Sequence, residues 1–311
     1  MNREILLLVE KCSHCFSYYD VATGERLHSI ALDDYPHEFV VDRDKRFAYV
    51  GHYGVETSGH LGHGGTQIFQ IDIPGRRLVR KIDIAPFNRL HGMQMDQDGR
   101  LYALSEDRAQ LVVIDKPATD SAPRRAVPTG GIKSHLFALT RDGRTAFSMN
   151  LLSHTVTKFK PYDATFTPVP CAPGEKPEGY ALSADEKTLL VTNRWSNTVC
   201  AIDVATMQVT RSAPTRDDAT RLYLYRDGRL VATNYGDRSL SVIDPATLQE
   251  LAHIPMEARA IALSYHPEEP LAFVSQDNDR IGIFNMETLR FDRFFSTQRE
   301  PDVSQLVLMD W

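Results

Sequence analysis

A seven-bladed β-propeller, all-β and built of four-stranded blades, is the fold this sequence predicts, and three observations predict it. One six-residue register, a polar residue opening an alternating apolar strand, recurs seven times: His37–Asp42, His91–Asp96, His135–Thr140, Glu178–Ser183, Arg221–Arg226, Arg259–Ser264 and Ser304–Met309. The steps between copies are 54, 44, 43, 43, 38 and 45 residues, the period of a propeller blade. Running from residue 304 through the C-terminus and on from residue 1 to 37 adds a step of 44, so the period closes on itself.

Each copy continues alike. A turn such as Asp98-Gly99-Arg100 or Asp227-Gly228-Arg229 leads into a second strand, for example Leu189–Asn193; Asp-Gly between alternating apolar runs is a strong hairpin signal. A third strand then ends in Asp, as in Leu111–Asp115, Val199–Asp203 and Leu240–Asp244, and a Thr-containing turn enters the fourth. The expected organisation is one domain over residues 1–311. Its seventh blade combines 304–311 with 1–31, whose runs Ile5–Val9, Phe16–Asp20 and Arg26–Ile30 supply the second, third and fourth strands. Closing the sheet with both ends of the chain removes exposed strand edges. The first full blade carries about ten extra residues, placed in the Gly-rich segment 51–65.

Composition narrows function. With 42% hydrophobic and 24% charged residues the chain has enough apolar material for a core, and a net charge of −6 leaves no basic footprint. Nucleic acid and anionic membrane surfaces are therefore not the expected partners. The apolar run Ile5–Val9 is too short for a signal-peptide core. The expected compartment is the cytoplasm, with the four cysteines reduced, or the periplasm if a leader has been removed.

The segment Leu189–Thr206, with Val-Thr-Asn before a polar turn and Ala-Ile-Asp after it, and its echo Val231–Thr247, resemble the YVTN-type propeller repeat of YncE-like and lactonase-like proteins. The resemblance spans essentially the whole chain. It implies the propeller, and it leaves function open, because members of that group include enzymes, binding proteins and surface-layer proteins and YncE-like members are often exported.

In a propeller the first strand of each blade lies innermost, so the seven opening residues are expected to ring one end of the channel: His37, His91, His135, Glu178, Arg221, Arg259 and Ser304. Three chemistries suit them. They can serve as plain polar caps. His37, His91, His135 and Glu178 can together hold a divalent transition metal, Mn, Fe, Zn or Cu. Without a metal, His91, His135 and Glu178 can move protons while Arg221 and Arg259 hold a small anionic substrate. A second ring, where the second strands end, is expected at His52, Ser105, Asn150, Asn193, Asn234, Gln276 and Glu10. Of these, His52, Asn150, Asn193 and Asn234 are candidates to touch the ligand or to bond loop backbone. His52, His60 and His63 make segment 51–65 either a lid or an incidental surface loop. Cys12-Ser-His-Cys15 reads as a turn with two incidental cysteines sooner than as half a zinc site.

The expected function is binding of a small anionic metabolite at the channel mouth, with lyase, isomerase or lactonase-type chemistry. The alternative is a non-catalytic scaffold that holds a protein partner on the same face, with Trp195, Tyr235 and Tyr53 at its rim. Phosphate-loop, G-x-S-x-G and H-E-x-x-H motifs do not occur.

Overall fold

The computed structural model describes residues 2–311. Its strands form seven four-stranded antiparallel sheets, and the helical content among the described residues is one 3-10 turn, Lys11–Ser13. The fold is a seven-bladed β-propeller. Numbered from the first full blade, the strands are Pro36–Val41, Phe47–His52, Gln67–Asp72 and Arg77–Asp83 in blade one. Blade two has Leu90–Met95, Leu101–Ser105, Gln110–Ile114 and Arg125–Pro128; blade three has Ser134–Leu139, Ala146–Asn150, Thr155–Phe159 and Val169–Cys171. Blade four contains Pro177–Leu182, Thr188–Asn193, Thr198–Asp203 and Gln208–Pro214, and blade five Ala219–Leu224, Leu230–Asn234, Ser239–Ile243 and Glu250–Pro255. Blade six is Ala260–Tyr265, Leu271–Gln276, Arg280–Asn285 and Arg290–Ser296.

Blade seven joins the two ends of the sequence. Strand Asn2–Glu10 pairs with Cys15–Asp20 on one side and with Pro301–Asp310 on the other, Leu6 opposite Leu306 and Leu8 opposite Ser304. This is the closure the repeat arithmetic predicts. Every group in the apolar run Ile5–Val9 is fully buried, which explains why this strand is unbroken by polar residues: it lies between two partner strands with both faces covered.

The chain divides into two compact units, the first made of residues up to Ser105, Val112–Arg125 and Ile261–Trp311, the second of Glu106–Leu111 and Ala126–Ala260. In the first, one core gathers Ile5, Leu7, Phe16, Phe39, Val50 and Phe69 from blades seven and one, and another packs Leu6, Tyr19, Phe273 and Leu306. In the second, Leu136, Phe147, Val156, Val191 and Ile202 fill the space between blades three and four, and Leu190, Val199, Leu222 and Leu230 that between four and five. Alternation along a strand aims successive side chains at the sheets on either side: Leu189 and Val191 pack toward blade three, Leu190 toward blade five.

Where a third strand ends in Asp, that residue builds the next turn. Asp203 Oδ1 accepts from the Thr206 backbone N–H and hydroxyl, both at 2.8 Å, and Asp244 Oδ1 accepts from Ala246 N and Thr247 N at 2.7 and 2.9 Å. These side-chain-to-backbone bonds replace the ladder bonds lost at the turn. No helix among the described residues is long and apolar enough to cross a membrane.

Candidate functional site

First strands begin with a β-bulge in blades one to five and in blade seven. In blade one the pairing jumps from Pro36 opposite His52 to Phe39 opposite Val50, and in blade two from Leu90 opposite Ser105 to Met93 opposite Ala103. Gly92, at φ +81°, supplies the left-handed residue of the second bulge. A bulge re-aims the side chains it contains, and the bulged residues are the polar openers. Pairing registers place His37, His91, His135 and Glu178 within these bulges. In blade five Ala219 faces Asn234, and in blade seven Pro301 faces Glu10. The equivalent residues there are therefore Thr220 and Asp302, with Arg221 one position and Ser304 two positions further along their strands.

In the first unit His37 and His91 meet. Their Nε2 atoms are 2.8 Å apart, with the rings edge to face at 86°. Asp302 Oδ2 lies 2.5 Å from His37 Nδ1, and Glu38 Oε1 lies 3.9 Å from His91 Nδ1. The group is interior: His37 is 5% exposed, His91 2%, Glu38 8% and Asp302 0%. Tyr53 packs against both imidazoles, at 5.3 and 5.4 Å between ring centroids. It is buried, so it is a wall of this cluster and not part of an exposed rim. His37, Glu38 and His91 bring three ligand atoms within 4.8 Å of one another.

The second unit holds His135 and Glu178. His135 Nδ1 contacts Glu106 Oε2, and its Nε2 is 3.6 Å from Glu178 Oε1. Glu106 Oε1 also lies 3.6 Å from Lys133 Nζ. Glu178 Oε2 accepts from Arg194 Nη1 at 2.8 Å, and Arg194 forks onto Asp218 through Nε at 2.5 Å and Nη2 at 2.7 Å. Burial works against the charge on Glu178, but His135, Arg194 and Arg221 outweigh it and hold the carboxyl below its usual range. Burial likewise opposes the Arg194 charge, and Glu178 and Asp218 outweigh it, so the guanidinium is held more firmly protonated than usual. Lys176 moves the other way: burial and then the Arg194 charge lower its pKa, with partial compensation from Glu178 and Asp218. Arg259 lies over the Tyr235 ring at 4.7 Å, a cation–π contact.

His135 and Glu178 are thus engaged with Glu106 and Arg194, and the ligand group in the first unit contains Glu38 beside His37 and His91. The carboxylates Glu38, Glu106 and Asp302 and the cation Arg194 were not among the residues singled out from sequence. A signal for each exists. Pro301-Asp302 repeats the dipeptide pattern of Pro36-His37 and Pro177-Glu178, and Glu106 and Arg194 directly follow Ser105 and Asn193, which end their second strands. Reversing face at each step, the strand-ending residue points into its own blade and the next one points away.

That alternation shows in the asparagines. Asn150 Nδ2 donates to Thr155 and Thr157 hydroxyls at 3.2 and 3.1 Å, Asn193 Nδ2 to Thr198 at 3.1 Å, and Asn234 Nδ2 to Ser239 and Ser241 at 2.9 and 2.8 Å. All three are fully buried, tying second strand to third. Glu10 does the same in blade seven, accepting from Ser17, Tyr19 and the Gln298 backbone at 2.5, 2.6 and 2.6 Å. His52 is half-buried, and burial lowers its pKa, so its ring is neutral at pH 7.

Segment 51–65 is fastened at its base. Arg89 Nη2 donates to the carbonyls of His60 and Gly62, both at 2.6 Å, and Asn88 Nδ2 donates to that of His63 at 2.5 Å. His60 and His63 are exposed, and Leu61 at the tip is 97% exposed. In the Cys12-Ser-His-Cys15 turn the two thiols separate, Cys12 Sγ donating to Glu300 at 2.7 Å and Cys15 Sγ to Glu10 at 3.2 Å. A second group of ligand types, Glu4, His266 and Glu269, is a strand-end cap: His266 Nδ1 accepts from Glu268 N and Glu269 N, and Nε2 donates to Glu4 at 3.0 Å.

No protein-family model matches the chain, and no curated protein matches it. Solved structures do match, 1715 chains in all, a breadth that speaks for fold and not for activity. One of them is a dihydro-heme d1 dehydrogenase, NirN, in complex with DHE, with a TM-score of 0.67 at 17% identity. The match covers 94% of this chain and 63% of that one, so the present chain spans less than two thirds of its neighbour's length.

Proposed function

We propose that the protein binds a small anionic metabolite at the opening ends of blades three to five and acts on it by proton transfer, within the lyase, isomerase or lactonase range of chemistry. The observation that carries this reading is His135 set between two buried carboxylates, Glu106 on Nδ1 and Glu178 on the Nε2 side. Glu106 fixes the tautomer by accepting a hydrogen bond from Nδ1–H, which keeps the proton on Nδ1 and leaves the Nε2 lone pair for the substrate. Glu178 stabilises the imidazolium that forms when Nε2 accepts a proton. Lys133, Lys176 and Arg194 match the charges of Glu106, Glu178 and Asp218, and Arg221, a further cation near Glu178, tips the balance toward a carboxylate or enolate-like charge over a neutral ligand. Arg259 adds a further cation just ahead of the next first strand, which starts at Ala260.

The test is deuterium wash-in. A panel of small carboxylates and lactones, with a haem-type tetrapyrrole included because of the structural neighbour, is incubated in D2O and followed by proton NMR. Exchange at carbon next to a carboxylate that disappears in His135→Asn supports the reading; absence of both exchange and Arg221-dependent binding across the panel sinks it. The YVTN-type kinship belongs to the same proposal and rests on the blade motif.

A second reading, a scaffold for a protein partner, is favoured by Ile132, Leu152 and Trp195, which are 62%, 59% and 59% exposed on neighbouring loops of the second unit. Retention of a partner by wild type and by Arg221→Glu alike, with loss in Trp195→Ala, would support it.

A further inference from the structure

We infer that His37, His91 and Glu38 form a binding site for one divalent transition-metal ion, with Asp302 as the residue that orients His37 for it. The site lies wholly in the first unit and does not depend on the proton-transfer reading of the second.

The donor atoms already converge. Two imidazoles turn the same atom, Nε2, toward one point at a separation of 2.8 Å. Each neutral ring carries one N–H. The carboxylate of Asp302, fully buried and 2.5 Å from Nδ1, favours by its charge the tautomer with the His37 proton on that nitrogen, which leaves Nε2 as a lone pair. A ligating histidine whose second nitrogen is held by a carboxylate is the usual outer support of a protein metal site. Tetrahedral binding at about 2.0–2.1 Å per nitrogen sets the two Nε2 atoms roughly 3.3 Å apart, so the rings need part by only about half an ångström.

Glu38 completes the set because of the backbone. Consecutive residues of a regular strand face opposite ways, yet Glu38 follows His37 directly. The bulge between Pro36 and Phe39 removes that constraint, and the Glu38 carboxylate shares the 4.8 Å neighbourhood of the two imidazoles, with Oε1 3.9 Å from His91 Nδ1, so that a side-chain rotation brings it to the Nε2 pair on metal binding. Its oxygen is the hard donor, and two nitrogens with one oxygen suit Zn(II), Fe(II) or Mn(II) with at least one position left for water or a substrate oxygen. Tyr53 closes one side with an aromatic wall.

This donor set differs from one that enlists His135 and Glu178, which the second unit engages with Glu106 and Arg194. The experiment separates the two. Purified untagged protein is reconstituted separately with Zn(II), Fe(II) and Mn(II), exhaustively dialysed and assayed for metal by mass spectrometry, beside His91→Ala, Glu38→Gln, Asp302→Asn and His135→Ala. About one equivalent in the parent and in His135→Ala, its loss in His91→Ala and Glu38→Gln, and an affinity weakened about 10- to 100-fold in Asp302→Asn are the expected results. A parent that stays empty under all three metals overturns the site; metal retained in His91→Ala, or lost in a folded His135→Ala, overturns the donor set. Co(II) substitution of the parent needs no variant: visible d–d bands of a nitrogen-ligated ion of low coordination number are expected, and the spectrum of hexa-aqua Co(II) alone overturns the proposal.

Discussion

Arg194 donates to Glu178 across 2.8 Å within a single blade, from the residue after the second strand to the residue that opens the first. The carboxylate is 3% exposed and the guanidinium side chain 17%. Removing one partner of such a pair leaves a charge buried without compensation, which costs on the order of 3 kcal/mol. Arg194→Met is therefore expected to lower the urea midpoint substantially. Glu178→Gln/Arg194→Met is expected to recover part of that loss, and an additive double variant would show that the two do not interact.

The pH profile carries the same contact. A carboxyl whose folded pKa lies below its unfolded value, about 4.3 for Glu, adds stability that is complete above that value and is lost as pH falls through the folded pKa. Glu178 has this direction. The denaturant midpoint of the wild type should therefore fall more steeply below about pH 4.3 than that of Glu178→Gln; parallel curves would remove Glu178 from the acid arm.

Gly179 admits no side chain. A Cβ there would sit 2.4 Å from Thr192 Oγ1 and 2.7 Å from both Arg221 C and Leu222 N, where blade five passes close by. Gly179→Ala should cost about 1–3 kcal/mol by overpacking and displace Glu178, its neighbour in sequence. Thermal melting and the pH profile, read together, check this: an unchanged melting temperature contradicts it.

Segment 51–65 should loosen without loss of the fold in Arg89→Ala, because the bonds from Arg89 reach loop carbonyls. Limited proteolysis is expected to cut at 55–63 faster in the variant, with a similar melting temperature. Equal cutting rates would mean that other contacts hold the loop.

Thiol reactivity should be low. Burial, with the Glu300 carboxylate second, pushes the Cys12 thiol up to about 12, and burial pushes Cys15 up to about 11, so at pH 8 neither is a thiolate. Iodoacetamide should label both slowly in the native protein and quickly in urea; rapid native labelling would refute the buried hydrogen-bonded arrangement.

The blades were legible because their signals are local. Asp-Gly turns, third strands ending in Asp and alternating apolar runs each lie within a few residues, and the closing blade followed from arithmetic on His37 and Ser304. The site was legible only in outline. His37, His91, His135 and Glu178 stand out as polar openers, but a bulge shifts register without changing composition, so Arg221 and Ser304 looked equivalent to residues that the backbone places one or two positions earlier. Asp302, Glu106 and Arg194 gain their meaning from contacts far along the chain, and a short sequence window contains neither partner.

The pairing of Asn2–Glu10 with Pro301–Asp310 has a consequence for synthesis. His37 emerges early and Asp302 late, so the carboxylate that steadies the first histidine arrives after nearly every other strand. Until then the strand Asn2–Glu10 lacks one partner and presents an open edge of apolar residues, an invitation to strand exchange between nascent molecules. Folding is therefore expected to set synthesis of Pro301–Asp310 against capture of that edge, and conditions that slow elongation ahead of this strand should raise the aggregated fraction without altering the stability of molecules that fold.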